Sequence, residues 1–178
     1  MAGPTGTGKT LLARALAGET DAAFMVASAT EFVTVWQGSG PQNVRDLFSR
    51  ARRYAPSIVF VDEIDAIGKR RMGAGGAGRA EEGTLNALLT EMDGFGGPTA
   101  RPVIMLAATN LADQLDPALL RRFDRVIDVP PPDRQARAAY LRNQLLDREH
   151  SLVGEETVES LARRSAGMTI ADLHRVVD

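Results

Sequence analysis

The stretch Gly3-Pro4-Thr5-Gly6-Thr7-Gly8-Lys9-Thr10 fills the pattern G-x-x-x-x-G-K-[ST] at every position. Glycines at these points let the backbone curl so that successive N–H groups converge on phosphate oxygens, and the helix that follows adds its positive N-terminal end. Lys9 would reach the β- and γ-phosphates of a nucleotide. Thr10 would offer its hydroxyl to Mg²⁺, a cation that takes oxygen ligands and keeps several waters. The competing reading is an ordinary glycine-rich turn ahead of a helix. A second string, Ile58-Val59-Phe60-Val61-Asp62-Glu63, is an apolar run ending in two acids. A buried strand there would carry Asp62 to the metal and Glu63 to the γ-phosphate, where a carboxylate can orient and activate water. Alternatively, both acids cap the helix that starts near Ile64.

These residues need a scaffold, and the flanking pattern supplies one. Short apolar runs at Phe24 to Ala27, Ile58 to Val61, Val103 to Ala108 and Val126 to Val129 alternate with helical periodicity. That alternation predicts an α/β fold with a parallel sheet. Val44, Leu47, Phe48 and Ala51 share one helical face, as do Leu85, Leu88, Leu89 and Met92. The first helix is expected to open at Lys9 or Thr10, to pack Leu11, Leu12, Ala15 and Leu16 inward, and to stop at a left-handed Gly18. Gly73 to Gly78 has almost no side chain to bury and reads as a loop, after the basic cluster Lys69-Arg70-Arg71. Beyond Pro130-Pro131-Pro132 the pattern is helical only: Ala136 to Leu146, Val158 to Arg164 and Ile170 to Val177. The expected division is a core at 1–131 and a small helical lid at 132–178. A phosphate loop of this kind joins a strand to a helix, yet only Met1 and Ala2 precede Gly3, so the first strand is expected to be missing. With Asp178 falling in a helical pattern, the chain reads as a fragment cut at both ends.

Bulk properties narrow the function classes. With 178 residues, 44% hydrophobic and 25% charged, the chain can build a core of its own. Twenty-one Lys plus Arg against 23 Asp plus Glu give a formal charge of -2, which provides no global attraction for nucleic acid. The absence of cysteine rules out disulfides, thiolate catalysis and Cys-ligated zinc, and suits a reducing, intracellular compartment. No run reaches a membrane span and no signal segment opens the chain. His150 and His174 are too few and too far apart in sequence for a metal site.

On the strings GPTGTGKTLLARALAGE, VRDLFSRAR, SIVFVDEIDAIG, TLNALLTEMDGF, AATN and LDPALLRRFDR, the chain resembles the AAA+ ATPases. The likeness is strongest to the ATPase domain of the FtsH-type membrane-anchored metalloproteases. The resemblance implies a P-loop NTPase sheet with a helical lid, ATP and Mg²⁺ as ligands, and a hexameric ring that threads polypeptides through its pore. Gly3 to Thr10 and Leu11 would contact the nucleotide, with Thr10 and Asp62 at the metal. Asn110 would be the polar sensor that holds the attacking water, an amide able to donate and accept at once. Its other reading is a loop or cap residue before Asp113. Arg121 and Arg122 fall where relatives resemble L-L-R-P-G-R-F-D-R and supply an arginine finger to a neighbouring subunit; here the Pro-Gly is absent, and the alternative is surface ion pairing. Trp36-Gln37-Gly38 occupies the place of an aromatic-x-Gly pore loop, with Trp36 and Gly38 gripping the substrate; Trp36 could instead be core. Gly167 and Ala171, within Gly167-Met168-Thr169-Ile170-Ala171-Asp172, would face the nucleotide from the lid. Glu81-Glu82-Gly83 departs from the R-E-Q usual in the FtsH type.

The function expected is therefore an ATP-hydrolysing motor for protein unfolding, coupled to a metalloprotease and a membrane anchor that both lie outside this chain, which contains no H-E-x-x-H. The alternatives are a remodelling ATPase without a protease, a non-hydrolysing scaffold subunit of a ring, and a nucleic-acid-acting relative, the last opposed by the near-neutral charge.

Overall fold

The computed structural model describes residues 1–34, 39–69, 76–94, 101–146 and 155–177. Its centre is a parallel sheet of three strands: β1 (Ala23–Ser28), β2 (Ser57–Asp62) and β3 (Val103–Ala107), in the order β1-β2-β3. The register pairs Ser28 with Asp62 and Val61 with Ala107, so the C-terminal ends of all three strands come to one edge. Ligand chemistry in open α/β sheets concentrates at that edge. β2 lies in the middle and is buried from Ser57 to Val61, as its unbroken apolar run requires.

Alternation along the strands creates two faces. Met25, Ala27, Val59, Val61, Met105 and Ala107 belong to the main core, against α3 (Gly40–Arg53), α4 (Asp65–Gly68) and α5 (Gly76–Asp93). The expected helix faces are the ones buried: Val44, Phe48 and Ala51 in α3, and Leu85, Leu88 and Met92 in α5. At the start of α3 a Cβ on Gly40 would collide with Thr84 Oγ1 and the Phe32 carbonyl, so only glycine lets that helix meet α5 and α2 (Glu31–Thr34) so closely. The opposite sheet face is thinner, with Phe24 and Phe60 stacked at 6.4 Å and Ala13 of α1 (Lys9–Gly18) above Phe60 and Ala108.

Three sequence expectations are corrected here. Leu11, Leu12 and Leu16 do not pack inward: they are 63%, 49% and 45% exposed, and the small Ala13 is the hydrophobic residue α1 buries. Ala15 is exposed as well. The i, i+4 spacing is present, but the narrow contact with Phe60 and Ala108 covers only the Ala13 side. Gly18 closes α1 without a left-handed backbone, since the positive-φ glycines are Gly3, Gly6, Gly8 and Gly167. Gly76 to Gly78, expected in a loop, begin α5, because the apolar ladder further along that helix carries it through weak helix formers.

Val126 to Val129 does not form a strand. Met1 and Ala2 lie alongside the end of β3, with the Met1 ammonium donating to Ala107 O (2.6 Å), Thr109 N to Met1 O (3.1 Å) and Ala2 N to Ile127 O (2.8 Å). Two residues cannot sustain a ladder, and Val126 and Ile127 are 61% and 50% exposed.

The chain divides into two compact units, one of residues 1–2 and 10–127, the other of residues 3–9 and 128–178. In the second, α7 (Arg134–Leu146), α8 (Glu155–Arg164) and α9 (Ile170–Val177) enclose a core of Ala138, Leu141, Leu145, Val158, Ala162 and Leu173. Arg137 is 7% exposed there, and its guanidinium donates to Ala162 O (3.2 and 2.9 Å) and to Pro132 O (2.8 Å). It thereby ties α7 both to the end of α8 and to the chain entering the bundle.

Candidate functional site

In the first unit, Thr10 Oγ1 donates to Asp62 Oδ2 at 2.8 Å, joining residues 52 apart in sequence. Thr10 stands in the first turn of α1 and Asp62 ends β2, so the pairing results from the helix lying on the sheet. The two oxygens are hard donors of the kind a small divalent cation takes. Among the described residues no cluster of His, Cys, Asp and Glu forms a metal site, and a hydroxyl with one carboxylate suits Mg²⁺ sharing its shell with phosphate and water.

Glu63 follows Asp62 with φ of 52°, the only positive-φ non-glycine residue among those described. A side chain in the left-handed region is held there at a cost of about 1–3 kcal/mol. Two neighbours hold it: Glu63 N donates to Asp62 Oδ1 (3.0 Å), and Ile64 N donates to Ala108 O (3.0 Å) across to the end of β3. The carboxylate is exposed. Asp65, Ala66 and Ile67 turn at once into α4, where neither Asp62 nor Glu63 acts as a side-chain cap.

Asn110 is exposed, three residues past the end of β3. Its turn is anchored by Thr109, which is 5% exposed; Thr109 Oγ1 donates to Asp65 Oδ1 (2.8 Å) and accepts from Leu111 N (2.9 Å). Glu63 and Asn110 thus occupy the turns after neighbouring parallel strands. Sequence reading singled out neither Thr109 nor Asp65. The signal was present, a hydroxyl directly before Asn110 and an acid at the start of α4, but only tertiary placement pairs them.

In the second unit, Gly3, Gly6 and Gly8 have φ of 156°, 80° and 92°, the last two in the region that side chains rarely enter. At Gly3 a Cβ would strike the Val129 carbonyl. Lys9 is 7% exposed, and its ammonium donates to Gly3 O and Pro4 O, each at 2.8 Å. Thr7 Oγ1 donates to Pro4 O (3.0 Å), which closes the turn; Pro4 and Thr5 are exposed. Ala171 N donates to Gly6 O (3.1 Å), so the start of α9 contacts the loop directly. A Cβ on Gly6 would stand 2.7 Å from Ala171 Cβ and 2.8 Å from Thr169 Oγ1. Thr169 and Asp172 form a reciprocal cap: Thr169 N and Oγ1 donate to Asp172 Oδ2 (3.0 and 2.7 Å), and Asp172 N donates to Thr169 Oγ1 (3.3 Å). The Thr169 backbone N–H and hydroxyl hold the Asp172 carboxyl below its usual range, with Arg175 adding to the effect. Gly167, at φ of 81°, makes the bend before this cap.

Arg121 and Arg122 follow α6 (Pro117–Leu120), whose N-cap Asp116 accepts from Ala118 N at 2.7 Å. Both are exposed, but their environments differ. Arg122 binds Asp93 at the end of α5 through two parallel bonds, Nε to Oδ1 (3.0 Å) and Nη2 to Oδ2 (3.1 Å). That pairing lowers the Asp93 carboxyl and raises the Arg122 guanidinium. Arg121 N donates to Pro117 O (3.1 Å), and its guanidinium makes no hydrogen bond or ion pair among the described residues. Trp36 and Gly38 lie outside the described residues. Among the described residues, no helix is long and apolar enough to cross a membrane.

Residues 1–131 match the family described as "ATPase family associated with various cellular activities (AAA)". The chain is 49% identical over 180 residues to the ATP-dependent zinc metalloprotease FtsH 3 of Sphaerobacter thermophilus, covering 100% of this chain and 36% of that protein. It is 50% identical over 182 residues to the chloroplastic ATP-dependent zinc metalloprotease FTSH 7 of Arabidopsis thaliana, covering 100% of this chain and 22% of that protein. Against the FtsH of Mycobacterium tuberculosis (strain H37Rv) it is 50% identical over 179 residues, 99% of this chain and 23% of that protein. The chain thus spans between about a fifth and a third of these relatives' length. With the family match running through Gly3 to Thr10, Asp62 and Asn110, the chain belongs to the AAA family of ATPases and corresponds to the ATPase portion of FtsH-type proteins.

Proposed function

We propose that this chain binds and hydrolyses Mg-ATP and uses the cycle to drive unfolding and translocation of polypeptides, within a protein that also carries an FtsH-type metalloprotease. The observation that carries the reading is the 2.8 Å bond from Thr10 to Asp62, which unites the metal-binding ends of the two motifs. Gly3 to Thr10, with Leu11 after them, would hold the nucleotide, Lys9 reaching the β- and γ-phosphates from its present bonds to Gly3 O and Pro4 O. Mg²⁺ at Thr10 and Asp62 would neutralise charge on the phosphates. Glu63, fixed at positive φ, is the base that draws a proton from the attacking water, and Asn110 orients that water. From the lid, Gly167 and Ala171 would border the nucleotide. Of the two arginines, Arg121 has a guanidinium without a bond among the described residues and is suited to complete a neighbouring copy's site, while Asp93 occupies Arg122. Trp36 and Gly38 would grip the polypeptide in a hexameric ring. The core would be 1–131 and the lid 132–178, with the parent anchored to a membrane by segments other than these and the ATPase facing the cytoplasm or an organellar matrix.

The test is ATP-driven unfolding of a tagged fluorescent protein by the full-length protein, with Glu63→Gln and Trp36→Ala as comparators. The proposal expects loss of fluorescence by the wild type alone, while Trp36→Ala still hydrolyses ATP. Unfolding by Glu63→Gln at the wild-type rate would overturn the motor assignment.

A further inference from the structure

Thr109 and Asp65 have no part in the chemistry described so far, yet they connect its two halves within the first unit. Backbone bonds already lace the strand ends together: Ala108 N donates to Val61 O (2.9 Å) and Ile64 N to Ala108 O (3.0 Å). Past Ala108, a side-chain bond joins the same two segments. The buried Thr109 hydroxyl donates its single proton to Asp65 Oδ1 and accepts from Leu111 N, which commits its donor and one of its two acceptor lone pairs. Asp65 lies two residues after Glu63 on the first turn of α4, and Asn110 lies between Thr109 and Leu111. Any rotation of the Asn110 turn away from the Glu63 turn must break the Thr109 bond to Asp65, the bond to Leu111, or both.

We infer that Thr109 and Asp65 are positioning residues which set the spacing between Asn110 and Glu63, and so govern how well the attacking water is held. This rests on the ATPase reading above. A reacting water held by two groups on separate turns is sensitive to their spacing, because displacements of about 1 Å cost orders of magnitude in rate. Binding of the phosphates by the Gly3 to Thr10 loop does not pass through this clamp. The effect therefore falls on kcat and leaves KM for ATP nearly unchanged.

The experiment measures steady-state ATP hydrolysis by the full-length protein as wild type, Thr109→Val, Thr109→Ser and Asp65→Ala, with Mg-ATP binding followed by a fluorescent ATP analogue. Thr109→Val keeps the shape and removes both bonds; kcat should fall about tenfold, the loss of one to two modest hydrogen bonds, with KM within about twofold. Thr109→Ser restores the hydroxyl and should recover most of the rate. Asp65→Ala should reproduce the kcat loss, and it carries the test if Thr109→Val fails to bind the analogue. Equal kcat in wild type, Thr109→Val and Asp65→Ala would overturn the inference while leaving the ATPase reading intact. A rise in KM with kcat unchanged would overturn it too, as would failure of Thr109→Ser to recover the rate. If the wild type does not hydrolyse ATP, the ATPase reading fails and this inference falls with it.

Discussion

Alanine substitutions at Gly6 and Gly8 separate backbone strain from steric conflict in the Gly3 to Thr10 loop, with Gly18 of α1 as the control. At Gly8, φ is 92° and no atom lies within 4 Å of an added Cβ, so Gly8→Ala carries strain alone, about 1–2 kcal/mol. At Gly6, φ is 80° and the Cβ would also meet Ala171 Cβ at 2.7 Å and Thr169 Oγ1 at 2.8 Å. Thr169 is committed to the Asp172 cap and cannot move away without breaking it, so overpacking adds about 1–3 kcal/mol, for a total of about 2–5 kcal/mol. At Gly18, in the last turn of α1, the space is open and φ is not positive, so alanine should stabilise by about 0.5–1 kcal/mol. Urea unfolding without nucleotide reads all three as shifts in midpoint at constant slope. The expected order of stability is Gly18→Ala, wild type, Gly8→Ala, Gly6→Ala. Gly6→Ala no worse than Gly8→Ala would refute the contact between the start of α9 and the loop, and an unperturbed Gly8→Ala would refute the left-handed backbone.

Arg137→Met should destabilise the α7–α9 bundle by about 2–4 kcal/mol: it leaves Pro132 O without its donor, while Ser165 Oγ at 3.3 Å still serves Ala162 O, and hydrogen exchange should quicken first in α7 and α8. Because the folded Asp172 carboxyl titrates below its ordinary value of 3.8, its cap contributes stability that is complete above that value and disappears as pH falls through the lowered one. Asp172→Asn should therefore be less stable than wild type by a constant amount from pH 5 to 7, and the gap should close below about pH 4 in acid titrations followed by circular dichroism. Arg122→Ala should leave the unfolding midpoint at physiological salt nearly unchanged, since its pair with Asp93 is solvent-exposed. Arg121→Ala should lower ATPase activity more than Arg122→Ala does when each variant is assembled with itself.

Much of the fold was legible because its signals are local. The helix from Lys9, the buried run through Val61 and the apolar ladders of α3 and α5 are each fixed by periodicity within one segment. What escaped depends on what lies opposite. The apolar spacing of Leu11, Leu12 and Leu16 says a helix could bury them, but the sheet face above Phe60 meets only Ala13. Val126 to Val129 has the composition of a strand, yet strand formation needs a partner and Ala2 provides one contact. The candidate site divides the same way. Gly3 to Thr10, Asp62 and Glu63 are recognisable by spacing, and Asn110 only through the family resemblance. The Thr109 to Asp65 clamp, the capture of Arg122 by Asp93 and the burial of Arg137 join residues 44, 29 and 25 apart, where no local pattern reports them.

The central claim is that Glu63 hydrolyses ATP held at Gly3 to Thr10. Its most direct test is phosphate release from Mg-ATP by the full-length wild type and by Glu63→Gln, with binding of a fluorescent ATP analogue measured on the same samples. The account predicts equal analogue binding by both proteins, with turnover in the wild type and at least about a hundredfold less in Glu63→Gln, the scale of a general base. Undiminished phosphate release by Glu63→Gln would contradict it.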